Sequence, residues 1–216
     1  LFLIGSAYAE FNCTQFIHTN NILEVQDAFV SCYIPSMFAI PTRSGDIRTC
    51  TPTIHGTSFH MATLDRINFY RILTNVPLVR EDPLLTELSG WGALIIAASG
   101  IESHVVTPGW PCYTVEGSLA LQNSVVQTGY WGPSGIDFFI SDQGINNIRV
   151  GHRRALINPR LQTVGLGLQT GITSAQSIWI INSWFNHSRP VFPECTAFPT
   201  PGYFPHRLLP SSRLWS

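Results

Sequence analysis

The sequence predicts an α+β fold, with helices on the faces of a central antiparallel sheet. Three observations predict it. Two stretches with apolar residues at three- and four-residue steps come first, over 63–76 and 83–99. Two apolar runs with strand character, 163–168 and 177–184, come late and read as an antiparallel hairpin. Helices grouped ahead of strands, rather than alternating with them, indicate α+β.

The N-terminus runs Leu1-Phe2-Leu3-Ile4-Gly5-Ser6-Ala7-Tyr8-Ala9, an apolar run closing on an Ala-x-Ala pattern. Residues 1–9 read as the tail of a secretory signal peptide, with a buried first strand as the competing reading. Residues 10–59 show no sustained period. Pro35, Pro41, Gly45, Pro52 and Gly56 interrupt them, leaving an irregular extension with one short helix over 22–30. In the first long helix Thr63 is the expected cap, Asp65 suits the first turn, and Pro77 ends it. Asp82-Pro83 opens the second as N-cap and first-turn proline, and Gly100 stops it.

Residues 105–117 form a loop of prolines, glycines and aromatics, and 118–126 fit helix or strand equally. Ser134 is the expected cap of a short helix over 135–141, which leads to the stretch Val150-Gly151-His152-Arg153-Arg154. In the following hairpin, Gly165 and Gly167 predict close approach of a strand to a helix. The tail over 189–216 has six prolines and no period, as in an extended arm or linker.

The 216 residues suit one domain plus extensions. Only 12% of residues are charged, no lysine occurs, and the net charge is -1, so nothing supports a nucleic-acid partner. The longest apolar run, 93–98, is far too short for a membrane span. Five cysteines without a C-x-x-C pair argue for disulfides in a secreted chain, with one thiol left over and the pairing open. Asn12 and Asn186 head two glycosylation sequons.

His104, Asp142 and His152 carry the chemistry. Two imidazoles and a carboxylate suit zinc or another divalent metal, and the carboxylate can either ligate the ion or orient a histidine. The competing reading has both histidines bonded to backbone at helix ends. Glu116 is a second acid, or a solvated loop residue. Arg153 and Arg154 read as structural support, one of them pairing with a buried carboxylate. Cys112 is a cysteine-nucleophile alternative with His152 and Asp142, against the plainer disulfide. His18, His55, His60, His187 and His206 carry no assigned role.

Several of these segments resemble one family. They are Thr63-Leu64-Asp65-Arg66-Ile67-Asn68-Phe69-Tyr70-Arg71, Asp82-Pro83-Leu84-Leu85, Ser103-His104 and Trp110-Pro111-Cys112-Tyr113. Most specific are Val150-Gly151-His152-Arg153-Arg154, Asn158-Pro159-Arg160 and Val164-Gly165-Leu166-Gly167. Together they resemble the bacterial-type branch of the CAP superfamily (cysteine-rich secretory, antigen 5 and pathogenesis-related proteins; the SCP domain) over residues 60–186.

The resemblance implies a three-layer α-β-α sandwich and a cleft of two histidines and two acids, with 187–216 as a C-terminal arm. His104 and His152 match the histidines. Asp142, in Phe139-Ile140-Ser141-Asp142, falls at the acid of a Trp-x-x-Glu helix, one methylene shorter. The other acid belongs to a Gly-Glu-Asn motif that is absent here; Gln122-Asn123-Ser124 is nearest. The implied function is a secreted binding or interaction module with a metal-capable cleft, taking a small apolar or lipid ligand elsewhere. The alternatives are a zinc-dependent hydrolase using the same cleft and a structural or adhesive extracellular domain. Fold likeness does not transfer a reaction.

Overall fold

The computed structural model describes residues 13–41, 44–144, 148–181 and 196–210. The signal-like residues 1–9, both sequon asparagines, Cys195 and the end of the second apolar run lie outside them.

The fold is α+β, a mixed sheet between two helical layers. The N-terminal extension is more ordered than its composition suggests. Asn21 caps α1 (Ile22–Ala28), which continues through a π-helical turn (Phe29–Tyr33) into α2 (Ile34–Ser36). Val25, Ala28, Cys32 and Tyr33 join the main core, and Cys32 is bonded to Cys13.

Helix α3 (Thr57–Leu73) is capped at Gly56, seven residues before the expected cap Thr63. Thr63 is therefore a mid-helix residue whose hydroxyl donates back to the Phe59 carbonyl at 3.0 Å, and Asp65 is mid-helix too. The early start buries Phe59 against Trp131. The helix stops three residues short of its predicted end, with Asn75 in the left-handed region just beyond it.

Strand β1 (Arg80–Glu81) follows, then α4 (Pro83–Ser99), opened by the Asp82 carboxylate on the amides of Leu84 and Leu85 and closed by left-handed Gly100. The ambiguous stretch resolves into both candidates: α5 (Val115–Gln122), capped by Thr114, and β2 (Ser124–Thr128). Helix α6 (Gly132–Ser141) starts at Trp131, and the Ser134 hydroxyl donates to the Trp131 carbonyl instead of capping from the front. Helix α7 (Gly151–Leu156), β3 (Thr163–Gln169) and β4 (Ala175–Trp179) complete the domain.

The sheet order is β1-β3-β4-β2. The predicted hairpin β3–β4 is antiparallel, as is β2–β4, but β1 pairs with β3 in parallel. A two-residue strand carries too little periodicity to be read from sequence.

The register sorts the two faces. Val125, Ile178 and Leu166 lie in one row and join the core formed by α3, α6 and α7. Val126 and Ala175 point the other way, into a second core with Ile95, Ile96 and Leu121. A Cβ on Gly165 or Gly167 would collide with the carbonyl of Leu85 or Ser89, so glycine lets α4 lie directly on β3.

Buried arginines tie the helical layer together. Arg66 pairs with Asp137, donates to the Ser36 hydroxyl and the Tyr33 carbonyl, and lies 3.6 Å over the Tyr33 ring. Both phenols, Tyr33 and Tyr70, donate to Asp137. Arg71 donates to the carbonyls of Leu156, Asn158 and Leu161, clamping the loop after α7. A planar five-donor fork suits such sites better than an ammonium. The C-terminal arm is docked along its described part: Phe198 belongs to the main core, and Thr19 holds the arm through Pro201 and Tyr203.

Candidate functional site

His152 and Asp142 meet at the junction of α6 and α7. Asp142 ends α6 in a left-handed conformation, with φ 48° and ψ 49°. That turn folds its carboxylate back under α7. One oxygen accepts from His152 Nδ1 at 2.9 Å, and the other accepts from the Arg153 amide at 3.2 Å. The Asp142 side chain is fully buried while that of His152 is 24% exposed. A buried carboxylate on Nδ1 fixes the ring's tautomer and leaves Nε2 as the free nitrogen. The ring packs edge-on against Phe139.

Arg153 is the support beneath the pair. Its guanidinium donates to the carbonyls of Ile140 at 2.6 Å and Ser141 at 3.2 Å, among the last of α6, which have no helical donor. A cation there also complements the helix dipole. Burial pulls the Arg153 guanidinium below its ordinary range, and the Asp142 charge offsets part of that. Arg153 thus reaches the buried carboxylate through its amide, while its fork closes the helix. Arg154 is exposed in the last turn of α7.

His104 is positioned differently. It is exposed, and its Nδ1 donates to the Leu121 carbonyl at 2.8 Å, at the end of α5. A carbonyl only accepts, so here too Nδ1 carries the proton and Nε2 is left over. Glu116 is exposed in the first turn of α5, where the helix dipole favours an acid. The structure therefore brings His152, Asp142 and Arg153 together and attaches His104 to another helix. Among the described residues, no three of His, Cys, Asp and Glu gather to hold a metal ion. Asp142 orients His152, with both oxygens already engaged by protein donors. Cys112 is bonded to Cys50, so it is not a thiol nucleophile in this structure.

Sequence reasoning left His55 and His60 unassigned, yet both line a cavity of about 420 Å³ beside the outer edge of β3. His60 Nδ1 lies 3.0 Å from Glu81 Oε1, and the same oxygen accepts from the Thr86 hydroxyl at 2.7 Å. His55 sits 5.9 Å from His60, ring to ring, and its Nε2 donates to the Leu168 carbonyl at 3.3 Å. Burial pushes the His55 pKa down to about 4. The pattern in the sequence was His-x4-His across a helix start, invisible while α3 was expected to begin later.

No known family model matches the chain, and no curated protein does. Among solved structures, an extracellular protein containing a SCP domain from Bacillus anthracis is similar to it, at 15% identity and a TM-score of 0.37. The match covers 56% of this chain and 40% of that protein's chain. So slight a likeness assigns neither activity nor ligand. No helix among the described residues is long and apolar enough to cross a membrane.

Proposed function

We propose that the chain is an extracellular SCP-type binding module, with a metal-capable site built on the outward nitrogens of His152 and His104. The observation that carries this reading is shared by both rings. Each has Nδ1 tied to an oxygen, Asp142 at 2.9 Å and the Leu121 carbonyl at 2.8 Å, which leaves Nε2 as a lone-pair donor. Metal-binding histidines are held in this way. The bonded pairs Cys13–Cys32 and Cys50–Cys112 support an oxidising compartment. The motifs around His152 support the SCP type.

Binding is favoured over hydrolysis by what the acids do. Catalytic zinc takes three protein ligands and a water, but Asp142 is committed to orienting His152 and Glu116 is solvent-exposed on α5. A divalent ion would be held by imidazole alone, with water or a ligand completing its shell. Calorimetric titration with zinc tests this on the wild type, His104→Ala and His152→Ala. Binding that is lost in both variants supports a shared ion. Equal binding by all three proteins removes the metal from the account.

A further inference from the structure

The two disulfides sit in opposite surroundings. Cys32 is 2% exposed, and its bond to Cys13 packs on the main core. Cys50 is exposed at the end of the turn over 46–51, and its partner Cys112 is half-buried in the loop before α5. Both Cys50 and Cys112 stand in the left-handed region, with φ 51° and φ 54°. That conformation is uncommon for a residue with a side chain and is ordinarily given to glycine. Cysteine is held there at a backbone cost that relaxes once the bond opens. An exposed bond between two strained turns is of the kind that exchanges with external thiols, whereas a buried one resists.

The bond also pins a longer segment. Residues 51–55 run on from Cys50 and form one wall of the cavity beside β3. They are held to β3 by the Thr53 amide, which donates to Gln169 Oε1 at 2.7 Å, and by His55 Nε2, which donates to the Leu168 carbonyl at 3.3 Å. Asp46 and Thr51 close the turn through two backbone bonds of 2.9 Å, and Ile47 packs on the second core, as do Trp110 and Tyr113. Among the described residues, the disulfide is the covalent cross-link from this segment to the rest of the domain.

We propose that the Cys50–Cys112 bond is a thiol–disulfide exchange site for an external dithiol, and that its reduction lets segment 45–55 come away from β3. A thiolate of the dithiol attacks the exposed Cys50 Sγ. The bond to Cys112 breaks, and its electron pair leaves on Cys112 Sγ, which takes a proton. The second thiolate of the dithiol then attacks the mixed disulfide, and Cys50 leaves and takes a proton in turn. The protein gains two electrons and two protons, and the dithiol becomes a disulfide. The Ile47 carbonyl oxygen lies 3.2 Å from Cys112 Sγ, so the thiol formed there meets an acceptor already in place.

The test uses the whole chain under native conditions near neutral pH. Thiols free at the outset are blocked with N-ethylmaleimide and dithiothreitol is titrated in. New thiols are alkylated with iodoacetamide and located by peptide mass spectrometry. Cys50 and Cys112 should take up label at about tenfold less dithiothreitol than Cys13 and Cys32. Amide hydrogen exchange in the selectively reduced protein should speed up about tenfold or more over 45–55 and stay unchanged over α3. Cys50→Ser with Cys112→Ser should show the same exchange pattern without reductant, which separates loss of this bond from any action of the reagent on Cys13–Cys32. Label on all four cysteines at one concentration, on none, or on Cys13 and Cys32 first would overturn the proposal. So would unchanged exchange over 45–55 after reduction, or a rise shared equally by α3, which would make the bond a structural staple.

Discussion

Replacing Asp142 with alanine should be among the most damaging single changes in this chain. The carboxylate is fully buried and accepts from His152 Nδ1 at 2.9 Å and the Arg153 amide at 3.2 Å. It is also the charge that offsets burial of the Arg153 guanidinium. A buried donor left without an acceptor costs about 1–3 kcal/mol. Partly exposed His152 can turn to water, but the buried amide cannot. The buried Arg153 guanidinium also loses the charge that offsets its burial, so the cost approaches that of a broken buried charge pair, about 3–5 kcal/mol. The expected loss is therefore about 3–5 kcal/mol for alanine. It is about 2–3 kcal/mol for asparagine, which keeps one acceptor but presents an amide to the second donor. Urea unfolding at fixed pH measures both, read as a fall in midpoint at constant slope. Imidazole nitrogen NMR supplies a second readout, because alanine should release His152 from its single tautomer. An alanine variant within about 1 kcal/mol of wild type, or an unchanged His152 spectrum, would refute the structural role assigned to Asp142.

Gly167→Ala should cost about 3 kcal/mol or more in the same unfolding assay, because the added methyl meets the Ser89 backbone and α4 must move. Cys50→Ser with Cys112→Ser should destabilise by about 4 kcal/mol and Cys13→Ser with Cys32→Ser by about 3, since the loops span 62 and 19 residues. Thermal melts of the two double variants check the order. His55 has a native pKa pushed down to about 4 against an ordinary value near 6.5, so the unfolded chain binds the extra proton between these values. Stability should be fully present above that window and fall as pH drops through it, and His55→Gln should flatten that limb in urea midpoints measured against pH. At Glu81, burial raises the carboxyl pKa, but hydrogen bonds from His60 and Thr86 and the charge of His60 more than offset this and leave it lowered. The stability it contributes should be present above the ordinary glutamate range and disappear as pH falls through its lowered native value. Glu81→Gln should remove that acid-limb contribution.

Local chemistry made much of the fold legible. Asp82-Pro83 and Gly100 bound α4 because cap and breaker residues act within one turn. Gly165 and Gly167 announced a close helix-strand approach, since little else explains two glycines in an apolar strand. The start of α3 was not legible: Thr63 is a good cap in isolation, but burial of Phe59 against Trp131 extends the helix past it. Strand β1 is too short to show a period. At the candidate site, His152, Asp142 and Arg153 were legible as neighbours because ten residues and one helix end separate them. The cavity histidines were not, because His55 acquires its meaning from Leu168, 113 residues away, and His60 from Glu81 across a strand.

The most direct test of the proposed function is a zinc titration followed by imidazole nitrogen NMR. One equivalent should move Nε2 of His104 and of His152 together while both Nδ1 protons stay on their oxygen acceptors. Zinc that moves neither ring, or only one of them, would contradict a shared site.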